Sequence, residues 1–319
     1  MSDTPTKPTL GPERGIVLRG TGGVWHVRTE SGVDREAMLA GRLKQEKKID
    51  PVNKLAVGDR VTIELGERGA GWVISEIHER TSRLARRSPG AKQSERVVAA
   101  NVDQVVVVFA LVKPEPHPRM LDRFLTIAEA NELAARVVIN KVDLASEDEA
   151  RRRFGAYERA GYPLHTTSAK APRGLEELRE ALAGRTSVLT GPSGVGKSSL
   201  INALYPGLSL RVGEISESVN KGRHTTVGAY LHPLPDGGYV VDTPGLREVG
   251  MWGVPAEELD RCFPELRAVR DSCHFADCTH RTEPKCAVQA AVAAGTIDRE
   301  RYDSYVKLRE ELEAEEKQW

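Results

Sequence analysis

The run Gly191-Pro192-Ser193-Gly194-Val195-Gly196-Lys197-Ser198 fits the pattern G-x-x-x-x-G-K-[ST]. Glycines at these positions let backbone N–H groups turn inward around an anion, and a helix starting at the loop adds partial positive charge. Lys197 has the reach to bind β- and γ-phosphates, and the Ser198 hydroxyl suits Mg²⁺. Ser199, next along, joins the nucleotide-binding set. Ordinary Gly-rich turns can match the same pattern. Here an apolar run, Ser187-Val188-Leu189, precedes the loop and a helical stretch, Ser199–Leu204, follows it, as phosphate binding requires.

A phosphate loop does not choose the base. Asn140-Lys141-Val142-Asp143 follows the apolar run Arg136–Ile139, where a nucleotide-binding loop belongs in an open α/β sheet. The Asp143 carboxylate can accept from N1–H and the 2-amino group of guanine together. Adenine would set an acceptor against it, and unpaired buried polar groups discriminate strongly. Lys141 can lay its stem over the base plane. Ser168-Ala169-Lys170 follows a short strand-like run, Tyr162–Thr167, and the Ala169 N–H could bind guanine O6. Asp242-Thr243-Pro244-Gly245 follows Tyr239-Val240-Val241. Asp242 suits a Mg²⁺ site through water, and the Gly245 N–H could sense a γ-phosphate. Between these elements lies Lys221-Gly222-Arg223-His224-Thr225-Thr226, where Thr226, with Thr225 as the alternative, could complete the Mg²⁺ shell.

The order of these motifs is permuted. Ordinary GTPases run phosphate loop, switch Thr, DxxG, NKxD, SAK; this chain runs NKVD, SAK, phosphate loop, Thr-Thr, DTPG. Permutation is tolerated where the old termini lie close. Its consequence is that the γ-phosphate-sensing segment is tethered directly to whatever follows residue 245. Many GTPases place a water-orienting Gln just after DxxG, but here the position is Leu246, which cannot hydrogen-bond water. Intrinsic turnover should be slow, and His224 is the nearest group able to orient or deprotonate a water.

A second chemistry lies downstream. Cys273-x₄-Cys278-x-His280-x₅-Cys286 places four soft ligands within 14 residues. Cys₃His is a common closed structural zinc set, with no open position for catalysis. Cys262 stands apart beside Phe263-Pro264 and is expected in a core.

These groups need three kinds of scaffold. Residues 1–12 read as a disordered tail. Residues 13–82 carry about five short strands with Gly-rich turns (Gly15–Arg19, Gly23–Thr29, near Glu36–Arg42, Arg60–Leu65, Gly71–His78), which suits a small closed barrel of OB or SH3-like type. Residues 83–97 read as a basic linker. Over 98–253 buried runs such as Val105-Val106-Val107-Val108-Phe109 alternate with helical stretches (121–135, 151–160, 175–182), the pattern of a parallel α/β sheet. Residues 254–319 turn helical around the Cys/His cluster and close on a charged helix, about 298–317, expected to be a surface helix with pairs such as Glu311/Glu315 against Lys307/Lys317.

Composition bounds the partners. The 319 residues hold 46 Lys/Arg and 46 Asp/Glu, with 39% hydrophobic and 5% aromatic residues, which suits a folded chain of two or three domains. No window approaches 18 uninterrupted apolar residues, and Met1–Pro12 lacks an apolar core, so neither a membrane span nor a secretory signal is expected. The zero net charge hides an asymmetry. Residues 1–100 hold 18 Lys/Arg against 13 Asp/Glu, net +5, whereas residues 256–319 hold 10 against 15, net −5. Arg42, Lys44, Lys47 and Lys48 form one candidate RNA-binding patch, and Arg83, Arg86 and Arg87, with Arg80, another.

With these motifs in this order, the chain resembles the ribosome small-subunit-dependent GTPase A (RsgA) family of circularly permuted bacterial GTPases, over nearly its whole length. The resemblance implies an OB-fold at the N-terminus, a permuted α/β P-loop GTPase domain and a C-terminal helical zinc-binding domain. It implies GTP hydrolysis with Mg²⁺, stimulated by the small (30S) ribosomal subunit, and a role in that subunit's late maturation through contacts with 16S rRNA. The resemblance to GTPases with a hydrophobic residue at the Gln position supports His224 as the catalytic group. A cytoplasmic monomer that binds GTP and GDP without a membrane is expected. The competing reading is an rRNA-binding scaffold that keeps GTP as a structural ligand with little turnover.

Overall fold

The computed structural model describes residues 11–45, 55–66, 71–87, 95–208, 229–242 and 254–317, without the side chains of 44, 45, 86, 87, 95 and 96. His224, Thr225, Thr226, Gly245, Leu246, Lys47, Lys48 and the tail 1–10 lie outside the described residues, as do the side chains of Lys44, Arg86 and Arg87.

Five strands, β1 (Glu13–Thr21), β2 (Val24–Thr29), β3 (Asp34–Leu39), β4 (Arg60–Leu65) and β5 (Trp72–Ile77), close into a barrel in the order β1-β2-β3-β5-β4. A short helix, α1 (Gly41–Gln45), follows β3, and β3 pairs parallel with β5. This five-stranded closed arrangement is the OB type, which decides the choice that strand count alone leaves open. Alternation fills the barrel: Val17, Val27, Val61, Ile63 and Ile74 are fully buried.

Where the sequence suggests a linker, β6 (Arg83–Arg87) and β7 (Glu95–Ala100) pair antiparallel. The reason is apolar. Leu84 and Ala99 are register partners, and both sit in the large core beneath the next domain.

That domain is a six-stranded sheet in the order β10-β9-β8-β11-β13-β12. Its strands are β8 (Gln104–Ala110), β9 (Ala134–Asn140), β10 (Leu164–Thr166), β11 (Thr186–Thr190), β12 (Tyr230–Pro233) and β13 (Tyr239–Asp242). All pair parallel except β12, which lies antiparallel to β13 at the edge. Every residue of β8 is buried, as its unbroken apolar run requires. Helices α2 (Pro118–Ala130) and α3 (Glu147–Arg159) cover one face, and α4 (Leu175–Leu182) and α5 (Lys197–Leu204) the other. Helix α2 starts three residues before the expected Leu121, because Pro118 occupies its first turn. It also stops earlier than expected: the Asn131 N–H caps the Ala128 carbonyl and Glu132 takes φ +54°. Helix α3 begins at Glu147 because the Ser146 hydroxyl accepts from the Glu149 N–H at 3.1 Å.

The C-terminal module holds a 3₁₀ turn (Ala256–Cys262) and the helices α6 (Pro264–Arg267), α7 (Ala287–Ala293) and α8 (Arg299–Glu316) around Phe263, Leu266, Tyr305 and Leu308. Cys262 joins this core as expected. The charged helix α8 is not a plain surface helix. Glu311 pairs with Arg119 and Arg123 of α2 and not with Lys307 or Lys317, while Lys307 takes Glu310 at 2.9 Å. Tyr305, Leu308 and Leu312 bury one side of α8, which turns Glu311 toward α2. Among the described residues no helix is long and apolar enough to cross a membrane.

Candidate nucleotide site and metal cluster

Strands β8, β9, β10, β11 and β13 bring their carboxyl ends to one rim, where an open α/β sheet binds its ligand. Strand β11 ends at Thr190, and the phosphate loop begins with Gly191 at φ +133°. A Cβ there would lie 2.0 Å from the Val108 carbonyl oxygen, so only glycine lets the loop leave the sheet at this angle. Val195 is buried and anchors the loop, while Ser193 and Gly194 stay exposed. Gly196, at φ +95°, starts α5, and a Cβ on it would stand 2.6 Å from Asn140 Nδ2. Lys197 Nζ donates to the Gly191 and Pro192 carbonyls at 2.7 and 2.8 Å, holding its ammonium across the loop mouth. Ser198 lies in the first turn of α5, 8% exposed.

The base-reading motif is tied to this loop. Asn140, 2% exposed, donates from Nδ2 to the Val195 carbonyl at 2.9 Å and accepts from the Thr167 hydroxyl at 3.3 Å. Lys141, at φ +62°, donates from Nζ to the Gly194 carbonyl at 2.6 Å and to the Lys113 carbonyl. Ser168 donates to Asp143 Oδ1 at 2.6 Å while accepting from the Ala171 N–H at 2.9 Å. The carboxylate that would read guanine is thus oriented by the neighbouring motif, with Ala169 and Lys170 following in the same turn. The Lys113 contact carries no sequence signal, since it uses a backbone carbonyl 28 residues away.

Asp242 ends β13, paired with Leu189 of β11 on one side and Tyr230 of β12 on the other. The structure therefore gathers Asn140, Lys141, Asp143, Ser168, the phosphate loop and Asp242 on one rim. In the candidate RNA patches, Arg42 donates from Nη2 to the Ser75 carbonyl at 2.5 Å, which pins its head group to the barrel, and Arg83 lies on β6.

The four sequence-predicted soft ligands also meet. The ligand atoms of Cys273, Cys278, His280 and Cys286 lie within 4.8 Å of one another. His280 Nδ1 is 3.5 Å from Cys273 Sγ and 3.5 Å from Cys286 Sγ, and these two sulfurs are 3.9 Å apart. Zn–S bonds of ~2.3 Å in a tetrahedron give S···S separations of about 3.8 Å, so the donor set fits a structural zinc site. The other ring nitrogen, Nε2, lies 3.2 Å from Asp260 Oδ2, and Arg270 Nε lies 2.6 Å from the same oxygen. Burial acts to raise the Asp260 pKa, but the His280 hydrogen bond and the Arg270 charge outweigh it and lower it. A carboxylate behind a ligating imidazole fixes its tautomer and ring orientation. Asp260 was not recognisable in the sequence, lying 20 residues from its partner. The Ala287 and Gln289 N–H groups point at Cys273 and Cys286 Sγ, 3.3 and 3.5 Å away, and so favour thiolates.

Comparison with known proteins agrees with this geometry. The family model described as "RsgA GTPase" matches residues 77–252. A Gemmatimonas aurantiaca protein named small ribosomal subunit biogenesis GTPase RsgA is 58% identical over 93% of this chain and 97% of its own. A Bacteroides fragilis protein of the same name is 40% identical over 94% and 97%. Among solved structures, YjeQ from Thermotoga maritima superimposes with a TM-score of 0.78 at 38% identity, covering 94% of this chain and 98% of its own. YloQ, described as a circularly permuted GTPase, gives 0.74 at 32% identity, covering 98% and 99%. Barrel, permuted sheet and Cys₃His module together define a GTP-hydrolysing enzyme of the circularly permuted P-loop class. The chain belongs to the RsgA GTPase family.

Proposed function

We propose that this chain binds GTP with Mg²⁺, docks on the small ribosomal subunit through 16S rRNA, hydrolyses the nucleotide there and leaves, acting late in the subunit's maturation as a cytoplasmic monomer. The observation that carries the nucleotide half is the hydrogen-bonded join between Asn140, Lys141 and the phosphate loop, with Asp143 held by Ser168. The names of the relatives, small ribosomal subunit biogenesis GTPases, support the ribosomal half.

In this reading Asp143 accepts from guanine N1–H and the 2-amino group, and the Ala169 N–H takes O6. Lys197 and the loop N–H groups hold the β- and γ-phosphates. Ser198, Thr226 and Asp242 would hold a Mg²⁺ ion, which would supply charge neutralisation to the phosphates, and Gly245 reads the γ-phosphate. His224 orients the attacking water in place of the Gln that Leu246 replaces, and subunit docking brings it into position. Arg42, Lys44, Lys47, Lys48, Arg83, Arg86 and Arg87 contact rRNA phosphates. Cys273, Cys278, His280 and Cys286 hold one structural zinc. The functional modules are 13–82, 98–253 and 254–319, joined by 83–97.

GTP turnover with and without 30S subunits tests this. Subunits should raise turnover at least tenfold, and His224→Ala should remove most of that gain while leaving GDP binding intact. Unchanged turnover in the presence of subunits would leave the scaffold reading, in which GTP is a structural ligand.

A further inference from the structure

The barrel is not merely tethered to the GTPase sheet. Leu18 of β1 and Val57, just before β4, lie in the same core cluster as Leu231 of β12 and Val241 of β13, with Ile16, Ala229 and Tyr239 packed against it. The barrel thus rests on the edge of the sheet that ends in Asp242.

The register at that edge is specific. In the antiparallel ladder Tyr230 stands directly opposite Asp242, and His232 opposite Val240. Directly opposed residues project from the same face with their Cβ atoms close together. The Tyr230 ring is flanked on two sides. The Arg19 guanidinium of β1 stands 5.6 Å from its centroid, within cation–π range, and the His232 ring lies 4.2 Å from it at 55°. Burial holds His232 down to about 4, so it packs against Tyr230 as a neutral ring at neutral pH. A barrel cation is therefore linked to the cross-strand neighbour of the candidate magnesium carboxylate, with one aromatic ring between them.

We propose that Arg19 and Tyr230 are positioning residues for Asp242, through which the seating of the barrel on β12 sets how well the site holds magnesium during GTP turnover. The inference rests on Asp242 serving the metal. In this role neither side chain needs to touch nucleotide. Both act by fixing the end of β13, where small displacements of a carboxylate change a site that must keep near-octahedral geometry. Ligands of the barrel that pull on β1 would then alter turnover through Mg²⁺ affinity.

The test follows the full-length chain against free Mg²⁺ concentration by two readouts, binding of a fluorescent GTP analogue and GTP turnover at saturating GTP. Arg19→Gln and Tyr230→Leu should each raise the half-saturating Mg²⁺ concentration about two- to fivefold, the size a surface cation–π contact can carry. Turnover at saturating Mg²⁺ should change little. Tyr230→Phe, which keeps the ring, and Arg19→Lys, which keeps the charge, should stay near the parent curve. A merely structural defect would lower turnover equally at every Mg²⁺ concentration and would not be rescued by these conservative variants. Arg19 is exposed, so its variant keeps the fold even if Tyr230→Leu does not. Asp242→Asn separates the two readings. If it shifts the Mg²⁺ midpoint while Arg19→Gln does not, the positioning role is overturned alone. If Asp242→Asn leaves the midpoint in place, the metal role of Asp242 fails and the inference falls with it.

Discussion

A methyl group at residue 196 would collide with the side chain that joins the base-reading and phosphate-binding halves of the site. Gly196 sits at φ +95°, where an L side chain is strained, and its Cβ would reach within 2.6 Å of Asn140 Nδ2. Asn140 cannot yield freely, because it holds the Val195 carbonyl and the Thr167 hydroxyl. Backbone strain of this kind costs about 1–3 kcal/mol, and each 1.4 kcal/mol is roughly tenfold in affinity. Gly196→Ala should therefore weaken binding of a fluorescent GDP analogue by about tenfold or more. Gly207, where an added methyl would meet nothing within 4 Å among the described residues, is the control and should change nothing. Equal affinities for the two variants would show that the Gly196–Asn140 contact does not constrain the site.

At the scale of elements, local pattern carried far in some places and stopped in others. The all-buried strand β8 and helices α4 and α5 lie where their apolar runs and stripes put them. The nucleotide motifs were legible because each is a short contiguous run at a strand end. Strand β12 gave no such sign: Tyr230-Leu231-His232-Pro233 is short, mixed and ends in proline. Strands β6 and β7 hid behind arginines, because among their described side chains Leu84 and Ala99 are the ones that join the large core. Partners joined across the chain, such as Lys113 with Lys141 and Asp260 with His280, leave no local periodicity to read. Strand β12 also makes a prediction of its own. Burial lowers the pKa of His232 from 6.5 to about 4, so the folded state resists a proton that the unfolded chain accepts. This penalty is absent above about pH 6.5 and grows as pH falls from there toward 4. Compared with the parent chain, His232→Phe should lose less melting temperature between pH 7 and pH 5. Parallel losses in the two proteins would mean that the imidazole is not held neutral by burial.

Across the whole molecule, the C-terminal module is seated on the GTPase domain by a buried charge cluster. Arg301 of α8, 3% exposed, donates to Asp122 of α2 and to both oxygens of Glu265 of α6, at 2.5, 2.7 and 3.1 Å. Its guanidinium also lies 4.6 Å from the Phe263 ring and 5.1 Å from Tyr157 of α3. Beside it, Arg267 reaches Glu129 of α2 at 2.8 Å. The metal cluster joins this seat through His280 and Asp260, because Asp260 and Cys262 belong to the 3₁₀ turn that precedes Phe263. Zinc removal should thus act at two places. Without metal, three cysteines and a histidine lose the bond that holds their loop, and Asp260 loses its oriented imidazole. Hydrogen exchange on the chelated protein should lose protection over 273–293 and over α2, while the barrel strands β1–β5 keep theirs. Arg301→Met should loosen α2 and α8 with the zinc still bound, because removing one member of a buried ion cluster costs about 3–5 kcal/mol by stranding the others. If chelation leaves 273–293 fully protected, the metal does not hold this module together. If it exposes 273–293 but not α2, the cluster supports its own loop alone, and the seat on the GTPase domain rests on Arg301.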